Sequence, residues 1–271
     1  MTSFLKSPKK LIVLISLILS LLAVITFNNP VQALVRLVIV LIIAALSDYS
    51  LGVYRKIESH FPDSALTIAC SLFLLADPSS PIFQLFLAII ISLAAKHYLM
   101  VKGRNLFNPA ALGLLTASFF GLKITWWGFL PGIIFSTLLI LLTGFVSVYL
   151  LRQGKIIFAF MLTIFGLTFF FTLNPLFTLT QFLVGGFWFF TLVMLPDPAI
   201  APKFTKTKIA YGVFVGLLSL TLPKIGIGTD PLLTSLLIGN LVFWFMDRKS
   251  EEKLEKLADK LPLASKLVSP E

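Results

Sequence analysis

Long apolar runs, broken at intervals by short polar or Pro- and Gly-containing stretches, dominate the chain. Reading from break to break gives ten segments: Leu11–Phe27, Val31–Ser47, Ser64–Ala76, Ile82–Val101, Ala110–Gly121, Trp127–Leu151, Ile156–Leu173, Thr180–Leu195, Ile209–Leu222 and Leu232–Met246. Runs of this kind read as membrane helices. Two are short. Ser64–Ala76 amounts to about 20 Å of helix and Ala110–Gly121 to about 18 Å, against a hydrocarbon core of roughly 30 Å. These read as half-buried or broken helices whose ends are satisfied by protein or by a cavity. The pattern therefore predicts an all-α polytopic membrane protein of about ten transmembrane segments.

Composition agrees and removes the alternatives. Hydrophobic residues make up 58% of the 271, charged residues 13%, and mean hydropathy is +0.98. A soluble domain carries roughly a quarter charged residues, so an ordinary soluble enzyme is excluded. Ten spans use up the length and leave no room for a separate catalytic domain. Net charge is +10, which in a soluble protein would suggest nucleic acid. Here the cations sit between the apolar runs, where they set topology, and no nucleic-acid partner is expected.

With a cytoplasmic N-terminus, the inside stretches carry Lys6, Lys9 and Lys10; Arg55 and Lys56; Lys102 and Arg104; Arg152 and Lys155; Lys203, Lys206 and Lys208; and the basic tail. The outside stretches carry Lys123 and Lys224, with Arg36 near the outer end of the second segment. This alternation predicts ten crossings of the cytoplasmic membrane with both termini inside. A cleaved signal peptide ending near Val31-Gln32-Ala33 is the competing reading of the N-terminus, and it would spoil the alternation. The tail places Leu254, Leu257 and Leu261 on one helical face, the pattern of a short amphipathic cytoplasmic helix.

Cys70 is the only cysteine, and His60 and His97 are the only histidines. A disulfide, a cysteine-ligated metal or an iron–sulfur cluster cannot be built from this chain alone. Redox chemistry would need an organic cofactor or a partner subunit. Nothing resembles a nucleophile–base pair or a nucleotide-binding loop, so independent enzymatic activity is not expected.

A Pro signal recurs in context. Asp77-Pro78 ends the third segment and Asp197-Pro198 the eighth; each is followed by one segment and then by Asn108-Pro109 or Asp230-Pro231. The internal spacings are 31 and 33 residues, and the halves are offset by 120 and 122. Five segments per half is an odd number, so the second half must be inverted. The expected division is 1–126 for the first repeat, 127–248 for the inverted second repeat and 249–271 for the cytoplasmic tail. Inverted repeats with interrupted helices occur in transporter-like folds. Asn108 and Asp230 suit helix N-caps with Pro at the next position, so each would start a helix whose N-terminal end favours anionic or electron-rich groups.

Lys96-His97-Tyr98, Lys102-Gly103-Arg104 and Leu106-Phe107-Asn108-Pro109-Ala110-Ala111 with Gly113 resemble the K-x-x-x-x-x-K-G-x-x-x-F-N-P-A signature of the RnfD/NqrB family. Its members are membrane proteins of the Rnf electron-transport complex and of the sodium-translocating NADH:quinone oxidoreductase. Gly185-Gly186-Phe187, Phe189–Val193 and Asp197-Pro198 resemble its second signature, although Leu-Pro-Asp-Pro stands here for its Thr-Asp-Pro. Tyr211-Gly212, Gly216 and Leu237–Leu241 ahead of Asp247-Arg248 resemble its C-terminal pattern, so the resemblance covers about 64–248.

The resemblance implies an inverted-repeat membrane subunit of a flavin-dependent complex that couples electron transfer to cation translocation, working with other membrane, flavin and iron–sulfur subunits. Relatives of this kind carry FMN on a threonine in an S-x-A-T-like motif in a long outside loop. The equivalent stretch here, Gly121–Trp126, lacks that motif, so the expected cofactor is a non-covalent flavin, FMN or riboflavin. Candidate cofactor-binding residues are Lys96, His97, Arg104, Asn105 and Asn108. Candidate ion or substrate pathway residues are Asp77, Asp197, Asp230 and Asn240, polar groups that are costly inside a bilayer. The competing roles are structural: Lys96 snorkelling to the interface, Asp77 and Asp197 closing Pro turns, Asn108 and Asp230 capping helices, and Asn240 bonding between helices. Two other functions compete: a small-solute or ion transporter that keeps the fold without flavin, and an anchor for a cytoplasmic flavin reductase. Asn108-Pro109-Ala110 also resembles the aquaporin motif, but the second half has Asp-Pro-Leu instead.

Overall fold

The structure is a computed structural model that describes residues 8–56, 62–101, 103–129, 133–176, 185–226 and 230–260. Among these residues the chain is all-α apart from one small hairpin. The ten apolar segments correspond to ten helices: α1 Pro8–Thr26, α2 Pro30–Tyr54, α3 Asp63–Leu75, α4 Ile82–Tyr98, α5 Pro109–Ser118, α6 Ile133–Leu150, α7 Gly154–Thr172, α8 beginning at Gly185–Phe189 and closing as a π turn over Phe190–Met194, α9 Thr205–Thr221 and α10 Pro231–Lys260. The start of the predicted eighth segment and residues 261–271 of the tail lie outside the described residues. So do the side chains from Leu254 onward, and with them the face of Leu254, Leu257 and Leu261.

Helix starts follow from a repeated local chemistry. Asn29, Asn108 and Asp230 each precede a Pro and accept the backbone N–H three residues on, from Gln32 (3.2 Å), Ala111 (3.0 Å) and Leu233 (2.9 Å). The side-chain oxygen replaces a missing helical partner, while Pro fills a position whose N–H would be orphaned. Both Asp-Pro turns are built alike as well. Asp77 Oδ1 accepts from Ser79 N–H (2.7 Å) and Asp197 Oδ1 from Ala199 N–H (2.9 Å), in each case two residues on.

Among the described residues, three helices are long and apolar enough to cross a membrane by themselves: Pro30–Tyr54, Gly154–Thr172 and Thr205–Ile225. Phe158, Phe170, Leu142 and Tyr149 stand 70% or more exposed on the helix flanks. Apolar surface of this extent is that of a membrane protein, not of a water-soluble monomer. The helices α3 and α5, with 13 and 10 residues, are too short to cross alone.

Helix neighbours recur between the two halves. In the first five helices α1 packs on α3, α2 on α3 and α4, and α4 on α5; in the second five α6 packs on α8, α7 on α8 and α9, and α9 on α10. Between the halves, α1 meets α6 and α5 meets α10, which are helices in corresponding positions. Glycines allow the closest approaches. A Cβ on Gly113 of α5 would lie 2.4 Å from the Ala88 carbonyl oxygen of α4, and one on Gly212 of α9 would lie 2.4 Å from the Ile156 carbonyl oxygen of α7.

Cations segregate between the two ends of the bundle. At one end Arg55 donates to the His97 carbonyl, Arg104 to the Ala201 carbonyl (2.5 Å), Lys208 to the Arg152 carbonyl (3.2 Å), and Lys155 to Thr205 Oγ1 (3.0 Å). At the other end Arg36 donates to the carbonyls of Pro78 (2.7 Å) and Ser80 (2.8 Å), and Lys224 lies over the Phe171 ring. Asp77 N–H is tied there to the Lys123 carbonyl (2.9 Å). Burial pushes the Asp77 carboxyl up, but hydrogen bonds from Ser79 and the nearby Lys123 and Arg36 outweigh it and hold it below the usual aspartate range.

Candidate functional site

A cavity of about 310 Å³ opens at the first of these ends. It forms where five pieces of chain meet: Ile12 of α1, the N-terminal half of α3, the last turn of α4 with the hairpin that follows, the N-terminus of α5, and the end of α8 with its Asp-Pro turn. The hairpin pairs Met100–Val101 with Arg104–Asn105 through Gly103, whose φ of +77° suits only glycine at low cost. It is fastened to the second half where Asn105 N–H donates to the Ala199 carbonyl (3.1 Å). The short helices make this possible. Because α5 starts within the protein rather than at its edge, its first turn and Asn108 become part of the wall.

The polar lining consists of Asp63, Ser64, Thr67, Ser71, Lys96, Asn105, Asn108 and Asp197. The volume lies within the range of small-molecule sites, roughly 300–1,000 Å³. Lys96 is the one cation among these residues, and its Nζ donates to Asp48 Oδ1 at 2.6 Å. His97 Nε2 lies 2.8 Å from the same oxygen. Asp48 is 11% exposed at its side chain, so a carboxylate withdrawn from water is matched by an ammonium and an imidazole. Its position holds Lys96 at the cavity edge.

Four of the sequence candidates thus meet: Lys96, Asn105, Asn108 and Asp197. His97 stands behind Lys96 against Asp48, and does not line the cavity. Arg104 is a clamp, with Nη1 facing Asp247 Oδ2 (3.2 Å) and Nη2 the Ala201 carbonyl. Asp247 is 1% exposed and also accepts from Lys203 N–H (2.8 Å) and Thr207 Oγ1 (2.8 Å). Asp77 and Asp230 lie at the far end of the bundle, beyond the length of α3, about 20 Å. There Asp230 Oδ2 accepts from Trp126 Nε1 (2.6 Å), and Trp126 N–H donates to the Leu75 carbonyl.

Asn240 is buried in mid-helix and supports the site from below. Oriented as its neighbours require, its amide oxygen accepts from Asn108 N–H (3.0 Å), and its nitrogen donates to Tyr211 Oη (2.7 Å) and the Leu236 carbonyl (3.1 Å). One side chain joins α10, α9 and the cap of α5. The sequence reading did not single out Asp48 or Asp63, and it named Asp247 only as part of the C-terminal pattern, not as a site residue. Asp48 and Asp247 fall at the polar ends of apolar runs, where they read as loop residues, and Asp63 falls just before one. A carboxylate directly after an apolar run, with a basic pair predicted at the same membrane face, is the signal that could have found Asp48.

No protein-family model matches the chain, and no curated protein matches it.

Proposed function

We propose that the chain is an integral subunit of a flavin-dependent electron-transport complex in the cytoplasmic membrane, coupling electron transfer to cation movement. In this reading the two five-helix sets are inverted repeats, and the cavity end faces the cytoplasm. The observation that carries it is the convergence of two distant segments. Lys96, Asn105 and Asn108 come from one family-like stretch and Asp197 from the other, and all four line one cavity.

The donor set also bears on which flavin fits. Two amides, a capped helix N-terminus and one ammonium suit the polar edge of an isoalloxazine ring. A flavin phosphate fits poorly, because Asp63 and Asp197 oppose it and Lys96 is already paired with Asp48. The group expected is therefore an uncharged, riboflavin-like flavin held without a covalent bond. Bound there, it would supply electron transfer; Asn105 and Asn108 would orient it, and Lys96 would favour electron density at its edge. Nicotinamide oxidation belongs to partner subunits with flavin and iron–sulfur centres, docked on the basic cytoplasmic end.

The test is a detergent purification followed by an absorbance scan and acid release of bound flavin. A flavin released by acid supports the reading, and a colourless protein that takes up no added riboflavin contradicts it. A second reading, a small-solute or ion transporter on the same fold, is favoured by the pairing of Asp63 and Asp197 in one cavity, a lining suited to a cation. Flux in proteoliposomes that is abolished by Asp197→Asn supports it, and silent liposomes contradict it.

A further inference from the structure

A second depression lies on the flank of the bundle between α7 and α9, away from the cavity. It has a volume of about 370 Å³ and is lined by Gly154, Phe158, Leu162 and Thr163 of α7 and by Ile209 and Val213 of α9, with Lys155 at one end. Phe158 is 71% exposed and Leu162 62% exposed, so the walls stand out from the bundle. The floor is low because Gly154 and Ala159 are small. From Gly154 to Thr163 the groove runs about 13 Å along the helix.

The charged end is electrostatically frustrated. Both helices begin there, and neither has an acidic residue in its first turn. Lys155 occupies the first turn of α7, and Lys206 and Lys208 that of α9, so cations stand at two positive dipole ends where anions are favoured. Lys155 and Lys208 lie close enough to repel one another, and Arg152 is exposed beside them. Asp247, the carboxylate that attracts Lys208, is buried and already occupied by Arg104, Lys203 N–H and Thr207.

We propose that this groove is a binding site for one anionic phospholipid, with an acyl chain along the α7–α9 groove and the phosphate among Lys155, Lys206 and Lys208. The groove is apolar and faces outward, which fits a chain from the bilayer. The missing counter-charge sits at its mouth, where a headgroup would lie. The inference rests on the membrane reading alone and is independent of any flavin.

The test is native mass spectrometry of the full chain in detergent, titrated separately with phosphatidylglycerol and phosphatidylcholine. One phosphatidylglycerol should be retained in preference to phosphatidylcholine. The preference should fall roughly fivefold for each lysine removed in Lys155→Gln and Lys208→Gln. A Cβ at Gly154, which lines the groove, meets no atom within 4 Å, so there is open space for a side chain, and Gly154→Leu is placed to obstruct the groove. It should weaken both lipids. Inorganic phosphate at matched concentration should not displace the lipid. Equal binding of the two lipids, a preference unchanged in the double lysine variant, or displacement by phosphate would each overturn the proposal. Helix content by circular dichroism separates these outcomes from misfolding.

Discussion

Replacing Asn240 with Leu tests whether one amide couples the cavity wall to the second half. Leucine keeps the branched shape but removes every side-chain hydrogen bond. The structure states which groups lose partners: Asn108 N–H at 3.0 Å and Tyr211 Oη at 2.7 Å. Asn108 is 6% exposed and Tyr211 fully buried, so water cannot replace the amide at Tyr211. The Leu236 carbonyl is in mid-helix and keeps its backbone partner. Each orphaned buried group costs about 1–3 kcal/mol in a dry interior. Measured interhelical hydrogen bonds in bilayers average about 0.6 kcal/mol and reach about 1.7, so Asn240→Leu should destabilise by about 1–3 kcal/mol. The assay is reversible unfolding in mixed micelles for wild type, Asn240→Leu, Tyr211→Phe and the double variant. The cycle should show a coupling of about 0.5–1.7 kcal/mol. Additive effects would refute the Asn240–Tyr211 contact. No loss on Asn240→Leu alone would refute the whole bridge.

Three further outcomes follow from the geometry. Gly212→Ala forces a Cβ to 2.4 Å from the Ile156 carbonyl oxygen and should cost about 1–3 kcal/mol by overpacking, whereas Gly166→Ala, with nothing within 4 Å, should leave thermal stability unchanged or raised. Asp247→Ala removes a carboxylate that is 1% exposed from its three donors and leaves the Arg104 charge without its counter-ion, held only by the Ala201 carbonyl; a loss of roughly 3–5 kcal/mol is expected, with Asp247→Asn intermediate, read by the same unfolding assay. Asp77 has a depressed folded pKa, so its contribution is present above the unfolded value of about 3.9 and is lost as pH falls through the folded value; the stability gap between wild type and Asp77→Asn should therefore close on acidification and not on alkalinisation.

The helical plan was legible because each apolar run is a helix, and because Asx-Pro pairs mark either helix caps, at Asn29, Asn108 and Asp230, or turns, at Asp77 and Asp197. The ends of those helices were less so. The second segment reads as ending at Ser47, yet α2 continues to Tyr54, because Lys96 and His97 neutralise Asp48 from another helix. In the same way α10 passes through Asp247 and on to Lys260, since Arg104, Lys203 and Thr207 satisfy that carboxylate. The hairpin at Met100–Asn105 and the π turn at Phe190–Met194 have no periodicity to announce them. Of the site, Lys96, Asn105, Asn108 and Asp197 were legible from motif order. Asp48, which pairs with Lys96, and Asp63, which lines the same cavity, were not, because only long-range packing brings them there. Asp77 and Asp230 resemble Asp197 and Asn108 in sequence, and they cap and turn in the same way. The charge alternation and the odd number of segments per half already put Asp77 and Asp230 at the opposite end from Asp197 and Asn108, and the structure separates them in the same way.

The central claim is that the cavity beside Lys96, Asn108 and Asp197 holds an uncharged flavin. Riboflavin binding to the purified protein, followed by quenching of flavin fluorescence, tests it most directly, with Asn108→Leu and Asp197→Leu as site variants. Saturable binding of riboflavin, weaker binding of FMN, and loss of both in the site variants is the predicted result. No binding of either, or binding that the variants leave unchanged, would contradict it.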